Sequence, residues 1–141
     1  MIDAQSKVLV VDDFEMTRFM LKEALSHYKI TDVAEARSGR RAWDALDKAE
    51  KCGKPFTLVF LDWNMPDMNG YDLLIKCRAD PRFKALEIVM VTASRERQDA
   101  LKALKAGASG YIAKPFSIED LIERIGGMNS PENGDAGGTV I

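Results

Sequence analysis

Short, unbroken apolar runs alternate with longer amphipathic stretches along this chain, and that alternation restricts the fold more than any other feature. Lys7–Val11, Phe56–Leu61 and Leu86–Val91 are almost continuous in Val, Ile, Leu, Phe and Met. Such runs fit strands buried on both faces, whereas a strand with one wet face alternates polar and apolar positions. Thr31–Ala36 and Gly110–Ala113 are weaker candidates for two further strands. Between them, Phe14–His27 carries Met16, Phe19, Met20, Ala24 and Leu25 at helical spacing, and Arg40–Glu50 places Trp43 and Leu46 inward. Tyr71–Arg78, Glu96–Lys105 and Ile118–Ile125 complete five expected helices. Gly53-Lys54-Pro55, Asp80-Pro81 and Gly107 mark breaks, because proline and the residue before it leave the helical region and glycine ends helices readily.

Five strands alternating with five helices imply βαβ units and a doubly wound parallel sheet, an α/β fold of the flavodoxin-like kind. Right-handed crossovers leave few arrangements. In the order 2-1-3-4-5, ligands bind beyond the carboxyl ends of the strands, where strand order reverses between the first and third. At 141 residues the chain is one domain with room for a real core. Residues 1–126 are expected to form it. The stretch GGMNSPENGDAGGTV starts at Gly126, and 127–141 is expected to be a disordered tail.

Composition narrows the partners. A net charge of −2 gives no basic field for nucleic acid. No apolar run approaches the roughly 20 residues that cross a bilayer, and the N-terminus lacks the layout of a signal peptide. The expectation is a cytoplasmic, monomeric protein. Cys52 and Cys77 lack CxxC spacing and are expected to be reduced thiols.

Charge gathers where the apolar runs stop. Asp12 and Asp13 follow the first strand, Asp62 the third, Thr92 the fourth, and Lys114-Pro115 the fifth. Each has a plainer explanation alone: Asp12 with Glu15 resembles a helix capping box, and Thr92 is a β-former at a strand end. Together, carboxylates facing one another across the crevice need a counter-ion. Magnesium suits them, since it takes one or two carboxylates and keeps several waters.

The blocks VLVVDDF, LDWNMPDMNG, MVTA and AGASGYIAKPF, in this order and near these separations, resemble the receiver domain of bacterial two-component response regulators, the single-domain CheY-like branch most closely. The likeness spans Lys7 to Ile125. It implies that Asp62 is the phosphoacceptor, attacking a phosphoryl group carried on the histidine of a sensor histidine kinase. It implies that Asp13, Asp62 and the backbone carbonyl of Asn64 ligate Mg²⁺, with Asp12 holding a metal-bound water. Lys114 pairs with the phosphoryl oxygens, and Thr92 donates its hydroxyl to them. Tyr111 is then the aromatic switch, turning inward when Thr92 is drawn to the phosphate. A downstream protein target would dock on the helix 4–strand 5–helix 5 surface, where Arg97, Leu104, Tyr111 and Arg124 are candidate contacts. The family usually has a cis bond before Pro115; Asn64 and Ser94 would set how fast water reaches the aspartyl phosphate.

Several residues receive no chemistry. Gly70 permits a bend close to the site. Trp63, Met65 and Met68 read as loop packing, and His27 as a helix-terminal residue favourable to the dipole. With no output domain following, the chain is expected to be a non-enzymatic switch in chemotaxis or motor-type signalling, or else a phosphorelay intermediate. An aspartyl-nucleophile phosphatase would want a second Asp two residues after the nucleophile, where Asn64 stands. A flavin binder would want a Ser/Thr/Gly-rich loop where Asp-Asp-Phe-Glu stands.

Overall fold

A computed structural model describes residues 2–65, 68–93, 97–128 and 139–140, without the side chains of 97, 139 and 140. The elements alternate as expected: β1 (Val8–Val11), α1 (Glu15–His27), β2 (Val33–Ala36), α2 (Gly39–Lys51), β3 (Leu58–Asp62), α3 (Gly70–Ala79), η1 (Pro81–Phe83), β4 (Glu87–Thr92), α4 (Arg97–Lys105), β5 (Gly110–Ala113) and α5 (Ile118–Gly127). All strand pairs are parallel and the five run in the order 2-1-3-4-5. A two-residue β6 (Thr139–Val140) adds beside β5, Thr139 opposite Gly110 and Val140 opposite Tyr111.

Side chains alternate across the strands and so fill two cores. Leu9, Val11, Val59, Leu61, Ile88 and Met90 pack with buried residues of α2, α3 and α4. Val8, Val10, Leu58, Phe60, Val89, Val91 and Ile112 pack with α1 and α5. Both faces are covered, which is why the strand sequences are continuously apolar.

Four expectations are revised. In α1, Met16 and Phe19 are 66% and 52% exposed, while Thr17, Arg18, Leu21, Ala24 and Leu25 form the buried face. The Arg18 side chain on that face reaches polar partners in β2 and in the loop after β1. Helix α5 runs two residues past Ile125, through both glycines at the start of the expected tail. Tertiary contact outweighs glycine's poor propensity there: the Tyr28 hydroxyl donates to the Ile122 carbonyl, and a Cβ on Gly126 would lie 2.4 Å from that hydroxyl. The turn after α3 carries η1, begun by the Asp80 side chain accepting from the Arg82 N–H. At the tail itself, Thr139–Val140 is paired strand, and 129–138 and 141 lie outside the described residues.

Both cysteines are free, Cys52 exposed and Cys77 buried, and burial pushes the Cys77 thiol up to about 12. No helix among the described residues is long and apolar enough to cross a membrane.

Candidate functional site

The parallel sheet delivers its charges to one edge. Strand β1 ends one residue before Asp12, β3 ends on Asp62, β4 ends on Thr92, and β5 ends one residue before Lys114. Asp12, Asp62 and Thr92 are buried, at 1%, 4% and 0% exposure, whereas Asp13 is exposed. Ligand oxygens of Asp12, Asp13 and Asp62 all lie within 4.8 Å of one another. Lys114 Nζ donates to Asp12 Oδ2 at 2.8 Å and stands 3.7 Å from Asp62 Oδ1.

Local hydrogen bonds explain how the loops hold this arrangement. The Phe14 N–H donates to Asp12 Oδ1 at 2.8 Å, so Asp12 makes a turn into α1, and the plainer capping-box explanation with Glu15 is not what the structure forms. The Lys114 N–H donates to the Thr92 carbonyl at 2.7 Å, binding the exits of β4 and β5 together, and the Lys114–Pro115 bond is cis. Asn69 caps α3 by accepting from the Asp72 N–H, and the Gly70 N–H closes the preceding loop on the Trp63 carbonyl at 2.7 Å. Gly70 is required for space rather than for positive φ: a Cβ there would lie 1.9 Å from the Asp62 carbonyl oxygen.

Burial and then the Asp12 charge push the Asp62 carboxyl up to about 6, against the opposing pull of Lys114 and a hydrogen bond from the Asn64 backbone. A carboxyl raised from 3.8 favours the folded state fully only below about pH 3.8. That contribution is lost as pH rises through about 6. The loss amounts to about 3 kcal/mol. Asp62→Asn is therefore expected to be more stable than the native chain at neutral pH without metal, with the advantage vanishing near pH 4. Urea unfolding across this range measures it; a difference that does not change with pH would contradict the strained-carboxylate reading.

Three carboxylates and one lysine in this space fit a divalent cation, whose charge would relieve the repulsion that raises Asp62. Asn64 lines an open depression with Asp13, Met65 and Asn69 beside them. Trp63 stacks on Tyr71 at 5.2 Å, as a packing role requires, and His27 ends α1 edge-on to Tyr28.

The family model for the response regulator receiver domain matches residues 8–126. The chain belongs to the response regulator receiver family. Chemotaxis protein CheY1 of Helicobacter pylori is 43% identical over 119 residues, 84% of this chain and 93% of that one. The chemotaxis protein CheY homolog of Campylobacter jejuni is 40% identical over the same length, 84% and 88% of the two chains. Among solved structures, chemotaxis response regulator CheY4 of Vibrio cholerae superposes with a TM-score of 0.75 at 30% identity, covering 86% and 96%.

In this receiver domain, Asp12, Asp13, Asp62 and Lys114 come together at the strand ends, and Thr92 is tied to Lys114 through its backbone carbonyl. Tyr111 behaves differently from a surface contact: it is 2% exposed, in the core cluster with Ala100, Ala103 and Ala108. Leu104 is half-buried and Arg124 exposed, while the Arg97 side chain and Ser94 lie outside the described residues. Sequence reasoning missed Arg18, whose guanidinium reaches the Asp12 carbonyl at 2.7 Å. Its partners lie on segments distant in sequence, so the helical spacing of α1 gave no signal for it. Sequence reasoning also missed Phe14 at the rim, exposed and with its ring 6.0 Å from Lys114 Nζ.

Proposed function

We propose that this receiver domain accepts a phosphoryl group on Asp62 from a phosphohistidine of a sensor kinase and thereby changes its affinity for a downstream protein. The observation that carries the proposal is a buried carboxylate 3.7 Å from a lysine and grouped with two further carboxylates. With its carboxyl near 6, Asp62 is mostly ionised at neutral pH and keeps a lone pair for attack. An Asp62 oxygen bonds to phosphorus as the P–N bond to the donor breaks, and the imidazole leaves with that electron pair. Lys114 would move from Asp12 toward the incoming oxygens, and Thr92 would offer its hydroxyl. Asp12, Asp13, Asp62 and Asn64 would hold Mg²⁺, which supplies charge to offset the phosphoryl group.

The proposed output uses the same geometry. Thr92 leads through β4 to Met90, which is opposite Tyr111 in β5. Tyr111 already lies inward, so phosphorylation would stabilise that placement rather than create it. A switch from 1:99 to 99:1 requires about 5.5 kcal/mol of differential stabilisation. The α4–β5–α5 surface is the proposed docking face, acting as a monomer in the cytoplasm. The chemotaxis relatives favour a chemotaxis-type output over a relay.

Phosphoramidate, a small P–N donor, tests this. One phosphoryl group per chain is expected with Mg²⁺ and none with excess EDTA. Lys114→Met is expected to slow uptake about 100-fold, since it removes a charge partner of the phosphoryl group. It also removes a charge that holds Asp62 down, so the carboxyl should titrate higher. Steady release of phosphate from a generic phosphate ester would instead support a phosphatase.

A further inference from the structure

Arg18 is a buried cation that the phosphoryl chemistry above does not use. It is 7% exposed, and a buried guanidinium requires compensating partners. Its Nε donates to Glu35 Oε1 at 2.8 Å in β2, and one terminal nitrogen donates to the Asp12 backbone carbonyl at 2.7 Å. Glu35 is itself held from the other side by Lys22 Nζ at 3.1 Å. The hydrogen bond from Arg18, more than any other interaction, holds the Glu35 carboxyl below its ordinary range.

The bond to Asp12 falls at a decisive place. Asp12 follows the last residue of β1, and its N–H is committed to the Ala36 carbonyl at 3.1 Å. Its carboxylate oxygens accept from Phe14 N–H and from Lys114. The remaining polar group, the carbonyl, belongs to the peptide plane that joins Asp12 to Asp13. A donor on that oxygen fixes the plane and thereby the direction in which both carboxylates leave the backbone.

We infer that Arg18 is a positioning residue for the acidic pocket, a fork that locks the Asp12–Asp13 peptide against β2 so that the two carboxylates present one cation site with Asp62. This rests on the metal-holding reading given above. Arg18 touches no reacting atom and acts only through Asp12. The planar guanidinium spans an acceptor on β2 and one on the loop, whereas a lysine ammonium is a single point donor and cannot reproduce the fork. Partners that orient metal-holding groups typically change metal affinity by about 10–100-fold when removed.

The test is Mg²⁺ alone, titrated calorimetrically into the full chain and into Arg18→Met, Arg18→Lys and Arg82→Met. Arg82 pairs with Asp47 and Asp80 beside η1, which precedes β4 and so lies at the opposite end of the sheet. Each protein is first shown to have a cooperative unfolding transition, since a purely structural role would lower that transition and leave the affinity of the folded chain unchanged. Arg18→Met is expected to bind Mg²⁺ about tenfold more weakly, with Arg18→Lys recovering part of the loss and Arg82→Met none to recover. If Arg18→Met does not fold, weakened binding by Arg18→Lys decides in favour. Native affinity in every folded Arg18 variant would overturn the positioning role while leaving the metal reading standing. Failure of the native chain to bind Mg²⁺ would overturn the metal reading, and the positioning role with it.

Discussion

Asp62→Asn is expected to take up no phosphoryl group from acetyl phosphate and Mg²⁺, while the native chain gains one. The amide offers no anionic oxygen, and its neighbours do not replace it. Asp12 is already bonded to Lys114 and to the Phe14 N–H. Asp13 is exposed, outside the buried position 3.7 Å from Lys114 that Asp62 occupies. The substitution should also leave the fold intact and raise its stability at neutral pH, because it removes a carboxylate whose ionisation burial and Asp12 oppose. Loss of uptake with gain of stability is a combination that generic damage to the protein does not produce. Intact mass and urea unfolding on the same sample measure both.

Gly70→Ala should have the next largest effect, though Gly70 touches no phosphate. The added methyl would lie 1.9 Å from the Asp62 carbonyl oxygen, 2.8 Å from the carbonyl carbon and 3.1 Å from the Trp63 Cα. All three are backbone atoms, so no side chain can swing aside. Either β3 or the start of α3 must shift by an ångström or more. A misplacement of that size at a reacting group costs about 100-fold in rate, and overpacking typically costs about 1–3 kcal/mol in stability. Phosphoramidate uptake should therefore fall about 100-fold with only a moderate drop in the unfolding midpoint. Uptake close to the native rate would show that the loop after β3 tolerates the shift and that Asp62 is not held by it.

The fold was legible because burial on both faces leaves an unambiguous mark. Phe56–Leu61 reads as a buried parallel strand from its continuous apolar run, while the topology rules only narrowed the strand order to a few arrangements that include the observed 2-1-3-4-5. The acidic pocket was legible because Asp12, Asp13, Asp62 and Lys114 all end apolar runs, and a parallel sheet brings such ends together. What failed was information carried by contacts between distant segments. The inward face of α1 was misread because Arg18 is buried by partners in β2 and the β1–α1 loop, which helical spacing does not encode. Gly126 looks like a chain-breaking residue until Tyr28, which follows α1, is placed against it. Tyr111 read, from the residue alone, as a half-buried packing residue in a short strand, and it is 2% exposed. It is buried in the cluster that also holds Ala100 and Ala103 of α4 and Ala108 before β5, which no local pattern pairs with it.

Chemical trapping of the modified side chain tests the central claim most directly. The native chain is incubated with acetyl phosphate and Mg²⁺, reduced with borohydride to convert any aspartyl phosphate to homoserine, digested and sequenced by mass spectrometry. Homoserine is expected at position 62 alone, and absent when EDTA is present. Homoserine at position 12 or 13, or a phosphoryl group carried on His27 with Asp62 unmodified, would contradict it.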